Sequence, residues 1–85
     1  MTEFDTICER AGFGDLKAKN RRAEISTRRQ GVFYKMYLDN LNYTEIGRQA
    51  NRSHATVLYG VGRFSDLLST NDKLAVDIWR KIEKM

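Results

Sequence analysis

Eighty-five residues suit one domain with one small core and are too few for a two-lobed catalytic fold. One cysteine and one histidine exclude an internal disulfide and cannot supply a structural zinc site. No apolar run nears the roughly 18 residues that cross a bilayer, and no charged-then-apolar leader opens the chain, so a cytoplasmic location without membrane contact is expected.

The chain has no proline and little period-two alternation, which points to an all-α fold in a single domain spanning residues 1–85. The net charge of +4 hides an asymmetry. Residues 1–16 set Arg10 against Glu3, Asp5, Glu9 and Asp15, a net of −3. Residues 17–63 carry ten Lys/Arg against Glu24, Asp39 and Glu45, a net of +7, and residues 64–85 balance four against four. A basic middle calls for a polyanionic partner, although a charge run is more often a solvated surface.

Thr2 caps a first helix whose early Glu3 and Asp5 suit the helix dipole. Phe4, Ile7, Cys8 and Ala11 form its apolar stripe, and Gly12-Phe13-Gly14 ends it. Nothing basic flanks Cys8, which reads as a small core residue rather than a reactive thiol. Between the anchors Leu16 and Ile25 lies an exposed basic loop, Lys17, Lys19, Asn20, Arg21 and Arg22. A loop arginine can enter a minor groove, where negative potential concentrates.

Thr27-Arg28-Arg29-Gln30 has capping-box spacing, so a long helix is expected to begin at Thr27. Val32, Phe33, Met36, Tyr37 and Leu41 would line its buried side. Arg28 and Arg29 would then oppose the dipole in its first turn, a hint of phosphate contact.

Asn42 to Phe64 reads as two helices joined by a tight turn. Asn42 caps the first, with Glu45 at the reciprocal position, and Ile46 and Ala50 face inward. Asn51 suits a left-handed helix end, and Ser53 is a good cap for the second helix. Val57, Leu58, Val61 and Phe64 are expected on one buried face, which leaves His54, Ala55 and Thr56 free to enter a major groove. That helix should run to Leu68. A last helix, about 72–84, follows Ser69-Thr70-Asn71 and buries Leu74, Ala75, Ile78, Trp79 and Ile82, with Trp79 as a large core anchor.

The stretch IGRQANRSHATVLYGVGRF resembles the signature of the C-terminal DNA-binding domain of the bacterial replication initiator DnaA. That signature has Ile-Gly in one helix and an Arg-Asp-His-Thr-Thr-Val-type start to the next. The likeness runs from about Phe4 to Ile82. It implies a compact helical bundle with a Trp-repressor-like helix-turn-helix, standing alone without an ATPase domain. It also implies that Arg21 enters the minor groove, that Arg29 and Gln30 contact DNA from the long helix, and that Arg52, His54 and Thr56 keep signature positions. Ser53 replaces the signature aspartate and Ala55 its first Thr. The turn is one Gly shorter, with Asn51 in its place, and Gly60 stands for the usual Ala. These departures fall among base-facing positions, so the initiator's own recognition sequence is not carried over. There is no G-x-x-x-x-G-K loop, so neither nucleotide binding nor any other cofactor is implied.

The function expected is therefore sequence-specific binding of double-stranded DNA in replication or transcription control. Lys19, Arg21, Arg22, Arg28 and Arg29 would hold the backbone and minor groove, and His54, Ala55 and Thr56 would read base edges beside Gln30, Arg52 and Ser53. Each has a plainer alternative: His54 as a merely exposed side chain, Thr56 as a helix-start hydroxyl, Arg48 and Arg63 as solvated charges, Glu45 as a cap. A second reading is a protein-interaction module docking an initiator or a second copy. A third, a nuclease using Tyr34, Tyr37, Tyr43 or Tyr59, lacks any accompanying Arg, His or metal constellation, so no enzyme is expected.

Overall fold

Five helices account for most of the described residues, and their ends are written into the sequence. The computed structural model describes residues 2–18 and 22–84. Helix α1 spans Glu3–Arg10, α2 Ala23–Leu38, α3 Tyr43–Ala50, α4 His54–Ser69 and α5 Lys73–Glu83, with no strand among the described residues. Thr2, Asn42, Ser53 and Asp72 each accept a hydrogen bond from the backbone N–H three residues on, satisfying a donor that has no partner inside its helix. Thr2 and Asp5 complete a reciprocal capping box. At α3 only the Asn42 half forms, because the Glu45 carboxylate turns to Arg48 and Gln49 instead.

One device closes the ends of α1 to α4. A residue with positive φ (Gly12 at 76°, Asn40 at 73°, Asn51 at 57°, Asn71 at 58°) reverses the chain. The next N–H then reaches back five residues, as in Phe13 to Cys8, Leu41 to Met36, Arg52 to Gly47 and Asp72 to Leu67. Asparagine serves three times because its short amide tolerates the left-handed region.

Helix α2 begins at Ala23, a turn earlier than the Thr27 cap predicts. Thr27 is a buried interior residue whose hydroxyl donates to the Ala23 carbonyl at 2.7 Å. The extra turn is held by an ion pair from Arg28 to Glu24 and by Ile25 packing on the core. Arg28 and Arg29 therefore sit in the second turn, away from the unfavourable end of the dipole. Arg22 occupies the cap position without a side-chain cap bond.

The core joins Phe4, Ile7 and Cys8 of α1, Phe13 and Leu16 of the following loop, and Val32, Phe33 and Met36 of α2 to the inner faces of the other three helices. Those faces are Ile46 and Ala50 of α3, Val57, Val61 and Phe64 of α4, and Ala75, Ile78 and Ile82 of α5. Helix α4 lies close across α2, since a β-carbon on Gly60 would stand 2.9 Å from the Phe33 ring and 3.2 Å from Gln30 Cγ. An alanine at this position would hold the helices apart.

Three expectations about the core need correcting. Leu58 is 51% exposed, because the buried stripe of α4 runs through 57, 61 and 64 and Leu58 lies about 100° round the helix from Val57. Tyr37 is also exposed and stacks on Tyr43 with ring centroids 5.3 Å apart. Trp79 is only half-buried, its indole edge-on to Tyr34 at 5.2 Å and tilted against Phe64 at 6.0 Å, while Ile78 and Ile82 fill the interior from α5. The Cys8 thiol is in the core as expected, and burial first, then the Asp5 charge, pushes its pKa up to about 12.

Candidate nucleic-acid interface

The turn between α3 and α4 is set by one close approach. A β-carbon on Gly47 would lie 2.5 Å from the Arg52 carbonyl oxygen, so only glycine lets the chain double back this tightly. The Arg52 N–H donates to the Gly47 carbonyl at 2.8 Å, and Asn51 supplies the left-handed step between the helices. Ser53 then starts α4. Its Oγ accepts from Thr56 N–H at 3.2 Å and lies 3.0 Å from the Thr56 hydroxyl. Ser53 thus does the capping work an aspartate would do, and the Thr56 hydroxyl is tied to that cap.

His54, Ala55 and Thr56 are all exposed in the first turn of α4, as the sequence predicts. That turn contains no acidic residue, so the positive end of the helix dipole faces outward uncompensated. Four residues on from His54 and Ala55, on the same face, stand Leu58 and Tyr59, the latter 66% exposed. Gly62 and Arg63 continue the face, and Arg63 forms no ion pair among the described residues. The sequence pattern placed Leu58 in the core, whereas its register with His54, and that of Tyr59 with Ala55, is what marks both for the outward face.

The basic residues divide into outward and inward groups. Lys19 and Arg21 lie outside the described residues. Arg22 is exposed at the start of α2. Arg28 pairs with Glu24 at 2.8 Å and lies over the Phe13 ring, 5.4 Å from its centroid. Gln30 is half-buried beside Gly60, where α2 crosses α4. Arg48 holds Glu45 from the exposed face of α3, and that hydrogen-bonded guanidinium keeps the carboxyl below its usual range.

Arg29 and Arg52 point toward residues 16–18, where the basic loop begins. Arg29 Nε donates to the Leu16 carbonyl at 2.8 Å and its Nη2 to Ala18 at 3.1 Å. Arg52 Nη2 donates to the Lys17 and Ala18 carbonyls, both at 3.2 Å, while Nη1 donates to Ala50 at 3.3 Å and Asn51 at 3.0 Å. Burial first, and the neighbouring Arg52 charge second, lowers the Arg29 pKa from its ordinary value. The structure thus brings Arg29 and Arg52 together and gathers Ser53, His54, Ala55 and Thr56 at one helix start.

No helix among the described residues is long and apolar enough to cross a membrane, and no group of three metal-ligating side chains occurs among them. A family model described as the bacterial dnaA protein helix-turn-helix matches residues 5–63. No solved structure matches the chain.

Proposed function

Because the chain belongs to the bacterial DnaA helix-turn-helix family, whose domains bind double-stranded DNA, we propose that it binds a particular duplex sequence and works in the cytoplasm in the control of replication or transcription. The observation that carries the proposal is the outward face of α4, where a capped, dipole-positive start presents His54 and Ala55 and continues into Leu58 and Tyr59. An α-helix of this exposure fits a major groove.

In this reading His54 hydrogen-bonds a base edge, while the Ala55 methyl and the Leu58 side chain offer apolar contact to thymine methyl groups. Ser53 and Thr56 order the tip. Lys19, Arg21 and Arg22 supply backbone and minor-groove contacts from the basic loop, and Gln30 adds a contact from α2. Arg28 joins them from the second turn of α2, and its pair with Glu24 is of small net worth.

The test is selection from random duplex oligonucleotides, followed by affinity measured across a salt series. A short selected motif is expected, with log affinity falling against log salt by nearly one unit per phosphate contacted. A salt-independent curve, or no binding to any duplex at low salt, would overturn the proposal.

A second reading rests on Tyr37 and Leu38, both exposed in the last turn of α2. They would dock a second copy of the chain or an initiator. Salt-insensitive self-association, lost on Leu38→Asp, would favour it.

A further inference from the structure

We propose that Arg52, with Arg29, is a positioning residue that fixes residues 16–18, where the chain enters the basic loop, beside the turn before α4, and does not itself read DNA. The argument starts from where their donors go. Among the described residues Arg52 makes four side-chain hydrogen bonds, all to backbone carbonyls, two on its own turn (Ala50, Asn51) and two on the chain 34 and 35 residues earlier (Ala18, Lys17). Arg29 approaches the same stretch from α2 and meets Arg52 at the Ala18 carbonyl. Two forks, one from α2 and one from the turn between α3 and α4, thus fix the three consecutive carbonyls of Leu16, Lys17 and Ala18.

Arginine suits this task and lysine does not. A planar guanidinium holds several donors in one rigid plane, whereas an ammonium is a point charge on a flexible stem. Carbonyl acceptors also leave the cation's charge unneutralised, so the corner stays positive while its N–H groups are occupied. Arg52 forms no ion pair among the described residues.

Position turns this clamp into a specificity device. Ala18 is held at one end and Arg22 at the other, where α2 begins, with only residues 19–21 between them. Arg52 is also two residues from His54. The clamp therefore sets where the basic loop departs relative to the base-reading tip, and so the spacing between minor-groove and major-groove contacts. This rests on the reading above in which Arg21 enters the minor groove.

A double-mutant cycle on the selected duplex tests it, with Arg21→Ala, Arg52→Gln, Arg52→Lys and the Arg21→Ala/Arg52→Gln double variant. Each single variant is expected to lose about tenfold in affinity or more. The double variant should be no weaker than its worse parent by more than about twofold, because Arg52 acts through Arg21. In the DNA-free protein, trypsin should cleave the 17–22 stretch faster in both Arg52 variants, with overall melting still cooperative.

Losses that multiply in the double variant, or Arg52→Lys binding like the parent, would make Arg52 a direct contact and overturn the inference. Unchanged trypsin rates would overturn it too. Should Arg52→Gln fail to fold, Arg52→Lys and Arg29→Lys carry the same comparison. A silent Arg21→Ala alone sinks the minor-groove reading, and the trypsin rates then still decide whether Arg52 seats the loop.

Discussion

The carbonyl oxygen of Arg52 passes 2.5 Å from where a β-carbon on Gly47 would stand. This contact explains why a glycine sits inside α3, where helix propensity disfavours it by about 1 kcal/mol relative to alanine. The obstacle is backbone, which cannot rotate aside. Gly47→Ala should therefore lower stability by about 1–3 kcal/mol despite the gain in propensity. It should also weaken specific DNA binding beyond what the lost folded fraction explains, because α4 is displaced. Thermal melting and binding below the melting range check this, and a variant that melts and binds like the parent refutes it.

Two glycines of α4 should respond oppositely to the same change. A β-carbon at Gly62 meets nothing within 4 Å, whereas at Gly60 it meets the buried Phe33 ring at 2.9 Å. Gly62→Ala should raise stability by roughly 0.5–1 kcal/mol, the ordinary glycine penalty in a helix. Gly60→Ala should lower it, since a ring packed on all sides cannot yield cheaply. Denaturant unfolding of the pair decides the matter, and matching signs would mean that α4 does not press on α2 as described.

His54 is exposed beyond the core face of α4, so its loss should be felt by DNA and not by the fold. His54→Ala should change stability by less than about 0.5 kcal/mol. On the selected duplex it should cost roughly 1–3 kcal/mol, with little effect on a scrambled one at equal salt. Tyr59→Ala, one turn further on, should follow the same pattern. Equal losses on both duplexes would make His54 a phosphate contact, and a fall in melting temperature would make it structural.

The start of α1 carries a pH dependence of known sign. Hydrogen bonds from Lys17 first, and Thr2 second, hold the Asp5 carboxyl below its ordinary value of 3.8. A depressed carboxylate stabilises the fold above its unfolded pKa, and that contribution disappears as pH falls through the folded value. The Lys17–Asp5 pair lies at the surface, so the effect is small. Melting temperature should fall between pH 5 and pH 3, and less steeply in Asp5→Asn than in the parent. Parallel curves would show that the pair contributes nothing.

The element order, the all-α class and the helix-turn-helix were readable from the chain itself, because caps, left-handed asparagines and three-to-four spacing are local physics. Asn42, Ser53 and Asn51 act on atoms a few residues away, and a sequence displays such neighbours directly. Thr27 is ambiguous at the local level too: its hydroxyl can serve a cap or a carbonyl four residues back, and the packing of Ile25 and the Glu24–Arg28 pair settle the choice. Tertiary packing alone decided what depends on distant partners. It put Leu58 outside, left Trp79 half-exposed, and required glycine at positions 47 and 60. It also set the Arg29 and Arg52 guanidinium groups against carbonyls 11 to 35 residues away. A guanidinium can donate to a phosphate or to a carbonyl, and which carbonyls lie within its reach is a property of the folded surface, not of the residue.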